Sequence, residues 1–278
     1  MSEANLTRRV SSESVSALLT VENGNWGATS LRSIHAVLAS AAEVQADAFG
    51  RAPDAPIQVA PWSRDPRVFD DQRPYQVRLI ARDRYWSQYV YQFSHEFCHV
   101  MTNFDRHKGH KHRWFDESLC ELASLFVLHR LAELWKAQPP AAIPDAAGFA
   151  FNHHTYAERT AARYPRISRD RLPEWLAGNL PRLEANPYER DLCGTVAVAL
   201  LDSFHADPAL WRDCAHLNHW DPNADSAFAE YLSSWTAHLQ EQSLPFRAPV
   251  AIADLFKMVV DGRRAVRRRY ASETPCYW

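Results

Sequence analysis

Residues 95–99 read HEFCH, the run that decides how the surrounding chain is expected to fold. The spacing of apolar residues predicts a helix over 86–104, on which His95 and His99 lie one turn apart on the same face. Two imidazoles so placed suit a zinc ion, which in catalytic sites has three protein ligands and an open fourth position. Glu96 projects beside that open position, so we expect it to be the base that takes a proton from water.

The two faces of this helix differ in polarity. The apolar side chains that share one stripe are Phe93, Phe97, Val100, Met101 and Phe104. Gln88 and Gln92 lie on the opposite side, together with the two histidines. We therefore expect the apolar stripe to pack against a core and the polar face to look into a cleft.

The third zinc ligand is expected from a second helix, over 117–136, which two prolines end. Glu117 opens this helix and is the candidate ligand. Glu121 lies one turn further along the same face, where it would accept the remaining N–H of one ligand histidine. A capping box formed by Ser118 and Glu121 is an alternative that needs no metal.

These residues resemble the gluzincin metallopeptidases, the group that includes thermolysin and the aminopeptidase N-like enzymes. In that group HExxH is followed by a glutamate in an NE or DE pair that opens the next helix, as Glu117 of the run WFDES follows HEFCH here. The resemblance implies a zincin-like lobe, one zinc ion per chain and hydrolysis of peptide bonds.

A second run of residues extends the resemblance. PYERD, residues 187–191, is similar to the PYEKG run of the aminopeptidase-like branch, whose tyrosine stabilises the oxyanion. The similarity implies that role for Tyr188. The GxMEN run with which aminopeptidases hold a free N-terminus is absent from the sequence, so exopeptidase activity is not implied.

Composition limits the remaining function classes. With 278 residues, 46% of them hydrophobic, the chain can bury a substantial core. A formal net charge of -2 gives no reason to expect nucleic acid or an anionic membrane as a partner, so the expected partner is a peptide or protein substrate. The sequence shows no signal peptide or stretch of transmembrane length, and its five cysteines lack paired close spacing. We therefore expect a cytoplasmic protein with reduced thiols, in which Cys98 and Cys120 are packing residues.

The order of elements predicts an α+β fold that is mostly helical. We expect a flexible N-terminus over 1–25, a zincin-like lobe over 26–137, a linker over 138–165 and an all-helical lobe over 166–278. In the first lobe the patterns predict a helix over 30–49 and strands over 56–62 and 75–81. The helices predicted for the second lobe are 172–180, 188–205, 208–217, 224–241 and 252–260. The zinc is expected in the cleft between the lobes.

Three further groups of residues are not expected to bind a metal ion. The loop over 105–113, DRHKGHKHR, contains three histidines and is expected to be a solvated connection. His153 and His154 are adjacent, so they point in different directions and are poor joint ligands. The basic run over 263–269 is expected to be a solvated helix end.

The predicted function is that of a zinc-dependent metallopeptidase. Zinc would polarise the carbonyl, Glu96 would be the general base, and the resemblance implies that Tyr188 would donate to the oxyanion. Two alternatives stay open: a zinc hydrolase of a non-peptide amide or epoxide, and a catalytically idle zincin-fold binding protein. The sequence does not indicate the cleavage preference or the oligomeric state.

Overall fold

The structure, a computed structural model, describes residues 12–69 and 71–260. It divides into two compact units. Unit 1 consists of Met1–Met101 and Cys120–Arg163, and unit 2 consists of Thr102–Leu119 and Tyr164–Trp278. Helix α4 (Arg113–Ala137) contributes its first residues to unit 2 and the others to unit 1.

Unit 1 contains a four-stranded mixed sheet. The strands are β1 (Leu19–Val21), β2 (Ile57–Pro61), β3 (Arg67–Phe69) and β4 (Tyr75–Leu79), in the order β1-β2-β4-β3. The first three strands of that order run parallel, and β3 pairs antiparallel to β4. In β4 the buried residues Tyr75, Val77 and Leu79 alternate with partly exposed ones, which is the pattern that predicted a strand here.

Unit 1 also contains several helices. Besides its share of α4, the unit has α1 (Ser12–Ala17), α2 (Leu31–Phe49), α3 (Trp86–Met101), a short 3-10 helix (Ala146–Gly148) and α5 (Phe149–Ala161). Helix α2 packs against α3. It begins where the Ser30 side chain accepts a hydrogen bond from the N–H of Ser33, and it ends at Gly50, whose positive φ of 69° closes the last turn.

Unit 2 has only helices among its described elements. They are the start of α4, then α6 (Leu172–Ala185), α7 (Arg190–Ala206), α8 (Leu210–Cys214), α9 (Phe228–Glu241) and α10 (Arg247–Leu255). Its core is aromatic: Trp114 and Phe115 of α4 contact Phe228 of α9, with ring centroids 4.8 and 5.2 Å away. Such ring pairs add attraction beyond the burial of apolar area.

The α+β class and the mostly helical content are confirmed. Helix α2 and strands β2 and β4 also form where the periodicity predicted them. The helix predicted over 252–260 is displaced, since α10 covers Arg247–Leu255. Further differences lie in segments expected to lack structure: α1 and β1 occur within the first 25 residues, β3 occurs in the run between the two predicted strands, and α5 occurs in the expected linker.

The described part of the chain contains no helix that is both long enough and apolar enough to cross a membrane. Four cysteines, Cys98, Cys120, Cys193 and Cys214, are buried. The fifth cysteine, Cys276, and the basic run over 263–269 lie outside the described residues.

Candidate metal centre

Helix α3 brings together the two histidines of the HEFCH run. The ring centroids of His95 and His99 are 5.2 Å apart, and the ring planes form an angle of 76°. His99 is buried, whereas 23% of the His95 side chain is exposed. The pair is therefore internal, with solvent access at His95.

Contacts within unit 1 fix the position of α3. Phe93 and Phe97 belong to its apolar stripe, and their rings stack on each other with centroids 5.4 Å apart. At the C-terminal end of the helix, Nη2 of Arg51 donates to the carbonyls of Met101 at 2.6 Å and Val100 at 3.3 Å. Because the last carbonyls of a helix have no partner within it, this guanidinium both caps α3 and stabilises its negative end. The turn that follows the histidines is thereby held.

The polar face of α3 is more buried than we expected. Gln92 is buried, and its Oε1 accepts hydrogen bonds from the N–H groups of Ile80 at 3.0 Å and Ala81 at 3.1 Å. The expectation that Gln92 looks into a cleft is therefore wrong, since it satisfies two main-chain donors just beyond β4. Glu96 is also buried, with 6% of its surface exposed.

Glu121 lies beside the first histidine of the pair. Its Oε2 is 3.9 Å from Nδ1 of His95, and the Tyr91 hydroxyl donates to both carboxylate oxygens, at 2.8 and 2.7 Å. Tyr91 occupies the position one turn before His95, so tyrosine, histidine and carboxylate form a connected group. The role predicted for Glu121 requires a ligand histidine at this place, and His95 is the histidine there.

The capping-box alternative for Ser118 and Glu121 is wrong. Helix α4 begins at Arg113, one turn earlier than predicted, so Ser118 lies inside it. The Ser118 hydroxyl donates to the carbonyl of Trp114 at 2.8 Å, one turn back, and the Glu121 carboxylate accepts from Tyr91. Neither side chain caps a helix start.

Cys120 is the residue whose position sequence reasoning did not foresee. Its Sγ lies 3.3 Å from Nδ1 of His99, and both side chains are buried. One ring nitrogen from each of His95 and His99 and the Cys120 sulfur all lie within 4.8 Å of one another, so the three residues could hold a metal ion. The prediction that Cys120 is a buried packing residue is correct as to burial, but it leaves out the contact with His99. That contact joins two helices, so the spacing of residues along the chain does not indicate it.

The donor set fits a transition metal ion. Two imidazoles with a thiolate or a carboxylate are typical of zinc. A histidine whose Nδ1 is held by a neighbouring group presents Nε2 to a metal, and Glu121 and Cys120 are the neighbours of the two Nδ1 atoms here. Cys120 is therefore either a ligand or the group that orients His99.

Asp116 and Glu117, the DE pair of α4, differ in exposure. Asp116 is fully buried, and burial raises the pKa of its carboxyl to about 7, although the Asn218 side chain 3.2 Å away lowers it. Glu117 is partly exposed and belongs to unit 2. It lies one turn before Glu121 on α4, and its role as third ligand stays a prediction.

Tyr188 lies just before α7 in unit 2 and is 61% exposed. Its hydroxyl oxygen accepts a hydrogen bond from Nη2 of Arg113 at 2.9 Å, and the guanidinium carbon is 5.7 Å from the centre of its ring. Because Arg113 is the donor, the Tyr188 hydroxyl keeps its own proton for another acceptor. Arg113 was not singled out in the sequence, where it ends a run of basic loop residues.

Two histidines of the 105–113 loop are buried, so the expectation of a solvated loop is wrong for them. Nε2 of His112 is 2.8 Å from the carbonyl of Ser226, and the ring of His110 stacks on that of Tyr231 with centroids 5.4 Å apart. Burial lowers the pKa of both His110 and His112 to about 4, so both rings are neutral near pH 7. Both side chains pack in the core of unit 2.

The adjacent pair His153 and His154 separates as expected. His153 is fully buried, with Nδ1 3.0 Å from the Ser87 hydroxyl and its ring against Trp135, and burial lowers its pKa to about 4. His154 is exposed and lies near His129, their ring centroids 5.5 Å apart. It forms a group with His129 and Glu158 that could also hold a metal ion, and a third such group lies in unit 2.

Comparisons with protein-family models, curated proteins and solved structures found nothing that matches this chain. Several groups of His, Cys and Glu in the described residues have the geometry to bind a metal ion, and the one on α3 and α4 contains both histidines of the HEFCH run.

Proposed function

We propose that the chain is a zinc-dependent metallopeptidase in which unit 1 is a zincin-like lobe. The proposed ligands are His95, His99 and Glu117, with one zinc ion at this centre. The observation that carries the proposal is the pairing of the two α3 histidines, whose rings are 5.2 Å apart, with the Glu121 carboxylate 3.9 Å from Nδ1 of the first. A carboxylate that accepts the Nδ1–H of a ligand histidine fixes the ring orientation and raises the basicity of the other nitrogen.

Glu96 is the proposed general base. It lies between the two histidines in sequence and is buried, so its carboxylate works in a low-dielectric environment where charge interactions are stronger than in water. A bound zinc ion would supply Lewis-acid polarisation of the carbonyl and would lower the pKa of water. Glu96 takes the proton of the attacking water and then delivers it to the leaving nitrogen, which keeps the proton count balanced.

Tyr188 is the proposed donor to the oxyanion. The hydrogen bond that its hydroxyl accepts from Arg113 orients the phenol and leaves the phenolic proton for donation. Hydrogen bonds that strengthen as charge develops lower the barrier without strengthening substrate binding. This role is carried over from the resemblance of PYERD to PYEKG, and the Arg113 contact supports it.

We expect Tyr188→Phe to lower kcat by about a hundredfold, with little change in KM or zinc content, since the hydrogen bond acts mainly in the transition state. Steady-state kinetics on a cleaved peptide measure the effect. Tyr85→Phe is the matched control, because Tyr85 is another exposed tyrosine, 67% exposed. A Tyr188→Phe enzyme that keeps the parent kcat would remove this residue from the mechanism.

Two other functions use the same centre. A zinc hydrolase of a non-peptide amide or epoxide would need the same ligands and base. An idle binding protein would need the fold and not the base, and the presence of a buried glutamate between the histidines favours an enzyme.

The test of the function is hydrolysis of a peptide library by the purified full chain. We expect cleavage that a chelator such as 1,10-phenanthroline abolishes and that added Zn²⁺ restores, because the ion carries the polarisation of the carbonyl. Mass spectrometry of the products identifies the cleaved bonds. Turnover of small amides or epoxides alone would favour the first alternative, and a zinc-loaded protein that turns over neither class would favour the second.

A further inference from the structure

Three histidines of unit 2 form a group of their own. His216 and His219 lie in the turn after α8, and His238 lies near the end of α9. One ring nitrogen from each lies within 4.8 Å of those of the other two. Nitrogen ligands of a tetrahedral zinc ion are separated by about 3.3 Å, given bonds of about 2.0 to 2.1 Å. Small side-chain rotations therefore suffice to bring the three onto one ion.

Neighbouring rings of this group are steeply inclined to each other. The centroids of His216 and His219 are 5.8 Å apart with planes at 79°, and those of His219 and His238 are 6.2 Å apart with planes at 73°. Rings in this edge-on relation are not stacked, so their edges, where the nitrogens lie, can face a common point.

The turn that carries two of these histidines is held before any ion arrives. Nδ2 of Asn103 donates to the carbonyls of Ala215 and Leu217, each at 3.0 Å, on either side of the first histidine. Nδ2 of Asn218 donates to the carbonyl of Thr102 at 3.0 Å. Both asparagines are buried. A site on an anchored turn loses little conformational entropy when it binds an ion, which favours affinity.

His238 has an unsatisfied ring nitrogen. Its Nε2 is buried and has no hydrogen-bond partner among the residues that the structure describes. Leaving a buried polar atom without a partner costs free energy, and coordination through Nε2 would remove that cost.

We propose that His216, His219 and His238 form a second metal site that takes a divalent transition ion of the Zn²⁺, Ni²⁺ or Cu²⁺ class. The class follows from the donors, since imidazole suits these ions whereas Ca²⁺ and Mg²⁺ require oxygen ligands. His219 is exposed, so the ion has a path from solvent and water completes its coordination. The ion joins the turn after α8 to helix α9 and stabilises unit 2.

The experiment separates this site from the centre on α3 by working in the full-length His95→Ala/His99→Ala double variant. After equilibration with Zn²⁺ and removal of free ion, elemental analysis should find about one zinc per chain. Adding His238→Asn to the double variant should remove that zinc. His205→Asn, which changes another partly buried histidine of unit 2, should leave it in place.

Thermal unfolding gives a second measurement. Saturating Zn²⁺ should raise the Tm of the double variant by several degrees, since an ion that binds only the folded state stabilises it, and the shift should vanish with His238→Asn. If the double variant does not fold, the same comparison applies to the parent, whose zinc content should fall from about two to about one per chain with His238→Asn. A zinc content that His238→Asn leaves unchanged overturns the proposal, as does a folded double variant that binds no zinc.

Discussion

Glu96→Gln is expected to keep the zinc ion and to lose hydrolysis by a factor of about 10² to 10⁴, the range associated with general acid–base catalysis. Glutamine preserves the shape of the side chain and can still accept and donate hydrogen bonds, but it cannot take a proton from water at neutral pH. Because Glu96 is buried, a substitution of similar size is also the one least damaging to packing around α3. The measurement is kcat/KM on a cleaved peptide together with zinc content by elemental analysis.

The control is Glu133→Gln, which makes the same chemical change at an exposed position of α4. Its activity should equal that of the parent. If Glu96→Gln turns over substrate at the parent rate, Glu96 is not the base. If the variant loses both zinc and activity, Glu96 contributes to holding the ion, and its assignment as a base alone fails.

The features of the site that follow from local spacing are those that the sequence could predict. Residues four apart on a helix are neighbours, so the pairing of His95 with His99 required only that the segment be helical, and α3 is a helix there. The alternation in β4 and the capped, alanine-rich pattern of α2 were equally local. These elements were identified correctly because periodicity and end signals agreed.

Other elements had weak local signals. Strands β1 and β3 have three residues each, too few to show an alternation. Helix α5 buries Ala150, Ala157 and Ala161 at helical spacing, but alanine contributes little apolar contrast, and the surrounding residues resemble a linker. The start of α4 was placed one turn late because Glu117 and Ser118 resemble a helix start, whereas the buried Trp114 and Phe115 are already helical.

Contacts that join distant residues could not be predicted from spacing at all. Cys120 beside His99, Tyr91 beside Glu121 and Arg113 beside Tyr188 each depend on how helices pack. The burial of Gln92 is of the same kind, because its two donors come from the chain just after β4. Each of these contacts changes the chemical role assigned to a residue.

Substitutions at Glu117 and Cys120 test which of the two residues is the third zinc ligand. If Glu117 is a ligand, Glu117→Ala should lower zinc affinity as strongly as His99→Ala, since each removes one of three protein donors. Cys120→Ala should then lower zinc affinity by only about 10- to 100-fold, the usual effect of losing a group that orients a ligand histidine through its second nitrogen. All variants are made in a His238→Asn background, so that zinc at the proposed second site does not contribute to the measurement.

Competition with a fluorescent chelator of known affinity gives the zinc dissociation constants for this series. The assignment to Glu117 is refuted if Glu117→Ala binds zinc like its parent while Cys120→Ala binds as weakly as His99→Ala. The ligands would then be two histidines and a thiolate, all of them donors that zinc accepts in proteins. Because the Cys120 sulfur is already 3.3 Å from His99 Nδ1, a metal held by that sulfur would have to replace the present sulfur–nitrogen contact with two metal bonds. Substituting Cd²⁺ for zinc separates the two arrangements directly, since a Cd²⁺–thiolate bond absorbs in the near ultraviolet and a Cd²⁺–carboxylate bond does not.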